Sequence, residues 1–169
     1  MLRRNLVLGT AALALAACAR GNGRLGVDGV PAARIFRITP EDANLIPFRM
    51  QDSINTLRQA AGAGPVQVDA QLNAAAATHS RDMAAQNRPW HFGSDGSSPL
   101  DRLARVGYNG TLVGEAISES FESDAATLAA WMLNPDTKEI ILDRSATRMG
   151  ISWFQEDGGK IWWTLVMAR

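Results

Sequence analysis

Helical patterning dominates the first half of the chain. Residues 39–42, Thr-Pro-Glu-Asp, are typical of a helix start, with a capping hydroxyl, a proline at the first helical position and acids in the first turn. Pro47 follows soon after, so the pattern predicts a kink there and a main helix over residues 48–61. One face of that helix stays apolar, and the glycines that follow end it.

Further helices and one extended segment are predicted downstream. Asp69, Ser98 and Ser123 each have a side chain that can cap a helix. His79 lies on the apolar stripe of the first of these helices, where we expect a packed, hydrogen-bonded histidine. The predicted elements are a helix over 69–86, a short helix over 98–107, an extended segment over 111–117 and a helix over 123–134.

Alternation replaces helical spacing at the C-terminus. Apolar residues occupy every second position over 149–153 and again over 161–167, and the acidic and glycine residues 156–159 separate the two runs. This period of two predicts an antiparallel hairpin. Helices first and strands late predict an α+β domain, with helices packed on an antiparallel sheet.

The first eighteen residues have the pattern of an export signal. Arg3 and Arg4 precede an uncharged run over residues 6–17, which is too short to span a bilayer as a helix. Small residues before Cys18, the only cysteine, resemble the bacterial lipobox. We therefore predict a lipoprotein signal peptide at 1–17, with lipidation of Cys18; the alternative is a plain signal peptide with an incidental cysteine. In lipoproteins of Gram-negative bacteria, an aspartate directly after the cysteine resembles a signal for retention in the inner membrane. Residue 19 is alanine, which favours the periplasmic side of the outer membrane if the organism is Gram-negative.

Domain boundaries follow from these patterns. The glycine-rich stretch after the signal predicts a flexible tether, so residues 18–38 comprise lipidated Cys18 and its tether. Residues 39–169 form the predicted folded domain. The predicted protein is exported and attached to a membrane through its lipid.

Charge and residue counts exclude several classes of function. Seventeen Lys and Arg balance seventeen Asp and Glu, which argues against nucleic-acid binding. One cysteine forms no intramolecular disulfide, and two histidines build neither a three-histidine site nor an HExxH helix. No serine lies in a G-x-S-x-G elbow.

The order of motifs resembles the CAP superfamily of cysteine-rich secretory, antigen 5 and pathogenesis-related proteins, and its bacterial SCP-like branch in particular. The resemblance covers residues from about 50 to 169 and rests on the motifs taken together. It implies a three-layer α-β-α sandwich with a small antiparallel sheet. The matching segments are the helix over 72–83, the loop His91-Phe92-Gly93-Ser94-Asp95-Gly96-Ser97, Arg102 with Gly107-Tyr108, Gly114-Glu115-Ala116-Ile117, Trp131-Met132 with Pro135, Ile141-Leu142, Gly150-Ile151 and Trp163-Thr164.

The resemblance also implies a pocket at His91 and Glu115. In the family these two positions face one cavity, where further His and Glu residues can complete a site for a divalent ion. Thr137 stands here in place of a histidine, Asn134 in place of a glutamate, and Trp162 near the position of a second histidine. Because two protein ligands hold zinc weakly, we predict no tightly bound metal and no cofactor. Trp162 and Trp163 point to opposite faces of one strand, so one of them is a candidate exposed aromatic residue.

Three functions remain open. The first is a non-enzymatic envelope module that binds a lipid, a glycan or a protein. The second is an envelope hydrolase or peptidase in which His91 and Glu115 are the catalytic candidates. The third is a structural or stress-related lipoprotein. A purely structural role for His91 and Glu115 is also consistent with the sequence.

Overall fold

The computed structural model describes residues 35–169. The predicted signal peptide, Cys18 and most of the predicted tether therefore lie outside the described residues. The elements within that part are α1 (Pro40–Ala60), β1 (Gln67–Val68), α2 (Ala70–Gln86), α3 (Pro99–Arg105), β2 (Leu112–Glu119), α4 (Asp124–Leu133), α5 (Pro135–Leu142), β3 (Arg148–Gln155) and β4 (Ile161–Ala168).

The sheet has four strands in the order β1-β3-β4-β2. The C-terminal hairpin of β3 and β4 forms as the alternation predicts, and β2 pairs antiparallel with β4. β1 pairs parallel with β3, so the sheet is mixed and not wholly antiparallel. The sequence could not indicate β1, because two residues are too few to show a period.

The helices cover both faces of this sheet. Buried residues of α1, α4 and α5 pack with Trp163, Leu165 and Met167 of β4 on one face. Residues of α2 and α3 pack with Val166 and Ala168 on the other. Neighbouring residues of β4 thus enter different layers, which explains why the whole strand is buried. The architecture is the α-β-α sandwich that the resemblance implied.

Two elements differ from the sequence prediction. α1 runs as one helix through Pro47, since Ile46, Met50 and Ile54 carry a continuous buried stripe across the proline. That packing outweighs the single backbone hydrogen bond that the proline removes. α5 was not predicted; Asn134 ends α4 and at once caps α5 through its side chain.

The predicted caps are otherwise confirmed. Asp69 caps α2, and Ser123 caps α4. Ser98 forms a reciprocal capping box with Asp101 at the start of α3. Among residues 35–169, no helix is both long and apolar enough to cross a bilayer.

Candidate functional site

A polar loop between α2 and α3 carries His91. α2 ends at Asn87, whose left-handed conformation turns the chain out of the helix. Asp82, one turn before that end, accepts hydrogen bonds from the backbone N–H and the hydroxyl of Ser94, at 2.7 and 2.6 Å. Gly93 lies so close to the Asp82 and Ser97 side chains that a Cβ there would overlap Ser97. The loop is therefore fixed to α2 by its own polar residues.

Glu115 reaches this loop from the neighbouring strand. It pairs in register with Val166, which packs against α2, so its side chain points to the same face of the sheet. Only 2% of the Glu115 side chain is exposed. A carboxylate so buried needs partners that replace water.

Arg102 of α3 supplies most of those partners. Its Nη2 donates to Glu115 Oε1 at 2.9 Å and to Oε2 at 2.7 Å. Its Nη1 donates to the backbone carbonyls of His91 and Ser97, at 3.1 and 3.2 Å. The Arg102 side chain is itself 4% exposed. One buried guanidinium thus joins the loop, α3 and β2.

His91 completes the set of contacts around the carboxylate. Its Nδ1 lies 2.9 Å from Glu115 Oε1, while half of its side chain remains exposed. With Glu115 ionised, this contact assigns the proton to Nδ1, so the ring donates to the carboxylate and Nε2 is the basic nitrogen. Burial alone would raise the pKa of Glu115; the His91 hydrogen bond and the charges of His79 and Arg102 more than offset it, so the pKa lies below its ordinary value.

His79 lies beneath this group without a hydrogen bond. The side chain is fully buried, and Nε2 stands 3.6 Å from Glu115 Oε1. Neither ring nitrogen has a hydrogen-bond partner among the described residues. Burial lowers the pKa of His79, and the Glu115 charge opposes that effect only in part. The expected hydrogen-bonded core histidine is buried as predicted, but it lacks the hydrogen bonds.

Aromatic side chains flank His91 on the loop surface. Trp90 and Phe92 are 39% and 46% exposed, and their ring centroids lie 5.3 Å apart. The Arg88 guanidinium stacks over the Trp90 ring, 3.3 Å from its centroid. Trp162 and Trp163 are both fully buried, so the expectation that one of them is exposed is wrong. The exposed tryptophan of this surface is Trp90.

The structure does not bring the other three candidate residues to this pocket. Thr137 and Asn134 belong to the start of α5, in the layer on the opposite face of the sheet. The Thr137 hydroxyl donates to the Trp131 carbonyl at 2.6 Å, and the Asn134 side chain caps the helix. Trp162 shares the Glu115 face but lies four residues along β4 from the partner of Glu115, about 13 Å away. Its indole donates to the Glu156 carboxylate in the β3–β4 turn at 2.6 Å.

The residues present do not fit a divalent metal ion. Both oxygens of Glu115 are engaged by Arg102, and the inner nitrogen of His91 is used on the same carboxylate. The guanidinium already supplies the positive charge that a metal would bring. Within residues 35–169 no cluster of three or more His, Cys, Asp or Glu side chains is arranged to hold a metal. We therefore derive no metal chemistry for this site.

Two features of the site were missed at the level of sequence. Arg102 was named only as part of a motif shared with the CAP superfamily, and not as a partner of Glu115. No rule of sequence spacing links it to Glu115, which lies 13 residues later. The aromatic pair on either side of His91, Trp90 and Phe92, was not predicted to form an exposed surface. A tryptophan and a phenylalanine two positions apart in a polar loop were the available signal, because such a loop offers little core for them to enter.

Comparison with known proteins agrees with this fold. An outer surface protein of Borrelia burgdorferi superposes with a TM-score of 0.69 at 15% identity, covering 76% of this chain and 95% of that one. An extracellular SCP-domain protein of Bacillus anthracis gives a TM-score of 0.70 at 23% identity, covering 79% and 44%. A cysteine-rich secretory protein of Staphylococcus aureus gives a TM-score of 0.59 at 14% identity, covering 77% of this chain and 40% of that one. The chain thus spans less than half the length of the last two.

Sequence comparison gives the family. No curated protein matches the chain significantly. The profile of the cysteine-rich secretory protein family, CAP, matches residues 51–167, which include β1 to β3, β4 up to Met167 and every residue of the Glu115 cluster. With most of the chain matched and the sandwich in place, this protein belongs to the CAP family.

Proposed function

We propose that this chain is an exported binding module of the bacterial cell envelope, attached to a membrane through lipidated Cys18. Its ligand is a lipid, a glycan or a protein, and the loop around His91 contacts that ligand. The observation that carries the proposal is the pairing of both Glu115 carboxylate oxygens with Arg102 Nη2, beside a His91 ring that faces solvent. Two structural neighbours, one an outer surface protein and the other an extracellular protein, support export.

The pairing favours binding over catalysis for Glu115. A general base needs a free oxygen and a pKa close to the working pH. Here the guanidinium engages both oxygens, and the pKa of Glu115 is lowered. The carboxylate therefore orients His91 and neutralises Arg102. What remains open to a ligand is the outer edge of His91 with the rings of Trp90 and Phe92.

A binding screen tests the module. The full chain is screened against phospholipid vesicles, envelope glycan fragments and envelope protein extracts, with Trp90→Ala and His91→Ala as variants. We expect one class to bind, and each variant to weaken it roughly five- to thirtyfold, as loss of an interface residue worth 1–2 kcal/mol does. Leu133→Ala is the matched control, since Leu133 is 86% exposed at the far end of α4. Binding that both loop variants leave unchanged contradicts the assignment of the loop.

The membrane attachment has its own test. Wild-type and Cys18→Ser chains are expressed in a bacterium fed with labelled palmitate. We expect label and membrane fractionation for the wild type, and neither for the variant. A wild-type chain that takes up no label refutes the anchor but leaves the binding loop to be judged by the screen.

A second candidate is a hydrolase that uses His91 as a base. The contact of Nδ1 with Glu115 favours it, because a histidine held by a carboxylate presents a basic Nε2, as in hydrolytic triads. Turnover of envelope peptides by the wild type that His91→Asn abolishes supports this candidate. Turnover that survives His91→Asn excludes it.

A further inference from the structure

Large exposed apolar residues cluster at one end of the sandwich. This end contains the β3–β4 turn, the end of β2 and the end of α2. Five apolar side chains at this end are between 37% and 52% exposed: Ile35, Phe36, Trp90, Phe92 and Phe121. Single exposed apolar residues are ordinary on a protein surface, but a group of five at one end is a patch that needs an occupant.

Hydrogen bonds and contacts connect the members of this patch. Ile35 packs against Gly159 in the β3–β4 turn, and Arg37 donates to the carbonyls of Glu156 and Asp157 in the same turn. The turn reaches α2 through Lys160, whose Nζ lies 3.1 Å from Asn87 Oδ1.

The connected set extends to both helical layers. Asn87 leads directly into the loop of Trp90 and Phe92. On the other side, the backbone N–H of Ser120 donates to the Ile161 carbonyl at the start of β4, and Trp163 Nε1 donates to the Phe121 carbonyl at 2.9 Å. We call the five residues Ile35, Phe36, Trp90, Phe92 and Phe121 the hairpin-end patch.

The chain enters the domain at this patch. The described residues begin at Ile35, which is itself a member, and Cys18 lies 17 residues earlier. Seventeen residues reach at most about 60 Å even when fully extended. The segment that carries Cys18 thus joins the domain at this end, and not at the end of α4 that carries Leu133.

We propose that the hairpin-end patch inserts into the interface of the lipid bilayer, so that the His91 loop faces the membrane. The proposal rests on the proposed function, and it names a lipid surface as the ligand class. Tryptophan and phenylalanine are side chains that favour the boundary between headgroups and acyl chains. The lipid on Cys18 keeps the domain close to the bilayer, and the patch determines which face of the domain contacts the bilayer.

The cations of this end are engaged within the protein. Lys160 pairs with Glu119 at 2.5 Å and lies over the Trp162 ring, Arg88 stacks on Trp90, and Arg37 donates to the turn carbonyls. Two acidic residues, Glu156 and Asp157, are part of the same turn. The insertion is therefore driven by apolar area, and it requires neither anionic lipid nor low salt.

Fluorescence quenching by lipid tests this orientation. The full chain is reconstituted into phosphatidylcholine vesicles whose acyl chains carry bromine, which quenches tryptophan at short range. Trp131, Trp162 and Trp163 are at most 3% exposed and Trp153 is half-buried, so Trp90, at 39% exposed, is the expected main target. We expect quenching in the wild type, loss of most of it in Trp90→Phe, and no change when anionic lipid or about 0.5 M salt is added.

Two further variants separate insertion from mere proximity. Ile35→Ser with Phe92→Ser removes apolar area from the patch, and we expect it to lower the quenched fraction roughly three- to tenfold. Leu133→Ser is the matched control, and it should quench as the wild type does. The proposal is overturned if Trp90 stays open to aqueous acrylamide in vesicles, if Trp90 is already shielded without lipid, or if Leu133→Ser has the effect of the patch variants.

The outcome is independent of the anchor test. The Cys18→Ser chain, added to the same vesicles at high lipid, reports whether the patch partitions without acylation. If the chain takes up labelled palmitate but Trp90 remains exposed to water, the anchored binding module is supported and the proposal that the patch faces the membrane is refuted. Quenching in the Cys18→Ser chain supports the patch even when the anchor fails.

Discussion

Replacing Arg102 with methionine is the most informative single change at the site. Methionine keeps most of the buried stem but removes the guanidinium, which donates to both oxygens of Glu115 and to two loop carbonyls. The Glu115 side chain is 2% exposed, so water cannot replace these donors without rearrangement. Breaking one partner of a buried ion pair costs about 3–5 kcal/mol, and we expect Arg102→Met to lower the free energy of unfolding by that amount.

A double-mutant cycle isolates the pair itself. Glu115→Gln leaves Arg102 buried with an uncharged partner, so it should also destabilise strongly. The double variant removes both charges together, and we expect it to be more stable than the sum of the single losses predicts, by at least about 2 kcal/mol. The coupling is large because each single loss is mostly the penalty of the charge left behind.

Urea unfolding followed by tryptophan fluorescence measures all four chains, since Trp162 and Trp163 are fully buried in the folded state. The pH dependence of the unfolding free energy tests whether the Glu115–Arg102 pair stabilises the folded protein. Because the pKa of Glu115 is lowered by folding, the pair stabilises the protein above the ordinary carboxylate pKa, and this contribution fades as the pH falls through the lowered value. The cost of Arg102→Met should therefore shrink in acid. Additive losses, or a cost that stays constant as the pH falls from 7 to well below the ordinary carboxylate pKa, would refute the reasoning.

Three other changes test the structure around this pair. Burial lowers the pKa of His79, so the unfolded chain binds a proton more readily than the folded chain, and the free energy of unfolding should fall by up to about 1.4 kcal/mol per pH unit below roughly pH 6.5. His79→Leu should flatten that part of the plot of urea midpoint against pH, and an unchanged slope contradicts the assignment. Arg58, fully buried, donates to four backbone carbonyls, so Arg58→Met should cost about 3 kcal/mol or more by thermal unfolding, against almost nothing for the exposed Arg144→Met. Gly150→Ala would drive a Cβ into the backbone of α2, so circular dichroism melting should show a loss of several degrees that Gly158→Ala, with open space around it, does not show.

Sequence patterns predicted the elements that carry a period. α2, α4 and the C-terminal hairpin were foreseen because their apolar spacing persists over several turns or strand positions. β1 and α5 were not predicted from the sequence. β1 has only two residues, and α5 follows α4 with no linker that would separate the two helices. The main helix was predicted from a local rule to begin after Pro47, but α1 already begins at Pro40, because its packing on the core continues across the proline.

The candidate site was predictable only in its outline. His91 and Glu115 came from motifs, and the structure places them in contact at 2.9 Å. Arg102 could not be derived from spacing, because its reach to Glu115 depends on how α3 lies against β2. Thr137 and Asn134 were expected nearby by alignment, but the sheet separates them from Glu115, since adjacent positions of β2 face different layers.

Charge balance connects His79, Arg102 and the poor fit to metal. A buried group tolerates a net charge near zero, and Glu115 with Arg102 already reaches that balance. Protonating His79 would place a second cation 3.6 Å from one carboxylate, and burial together with the charge of Arg102 opposes it, which is why the pKa of His79 is lowered. A divalent ion at the same carboxylate would add twice that charge and would have to displace the guanidinium first. His91 is half exposed and therefore solvated, so it is the group of this cluster that can exchange its contacts for a ligand without that cost.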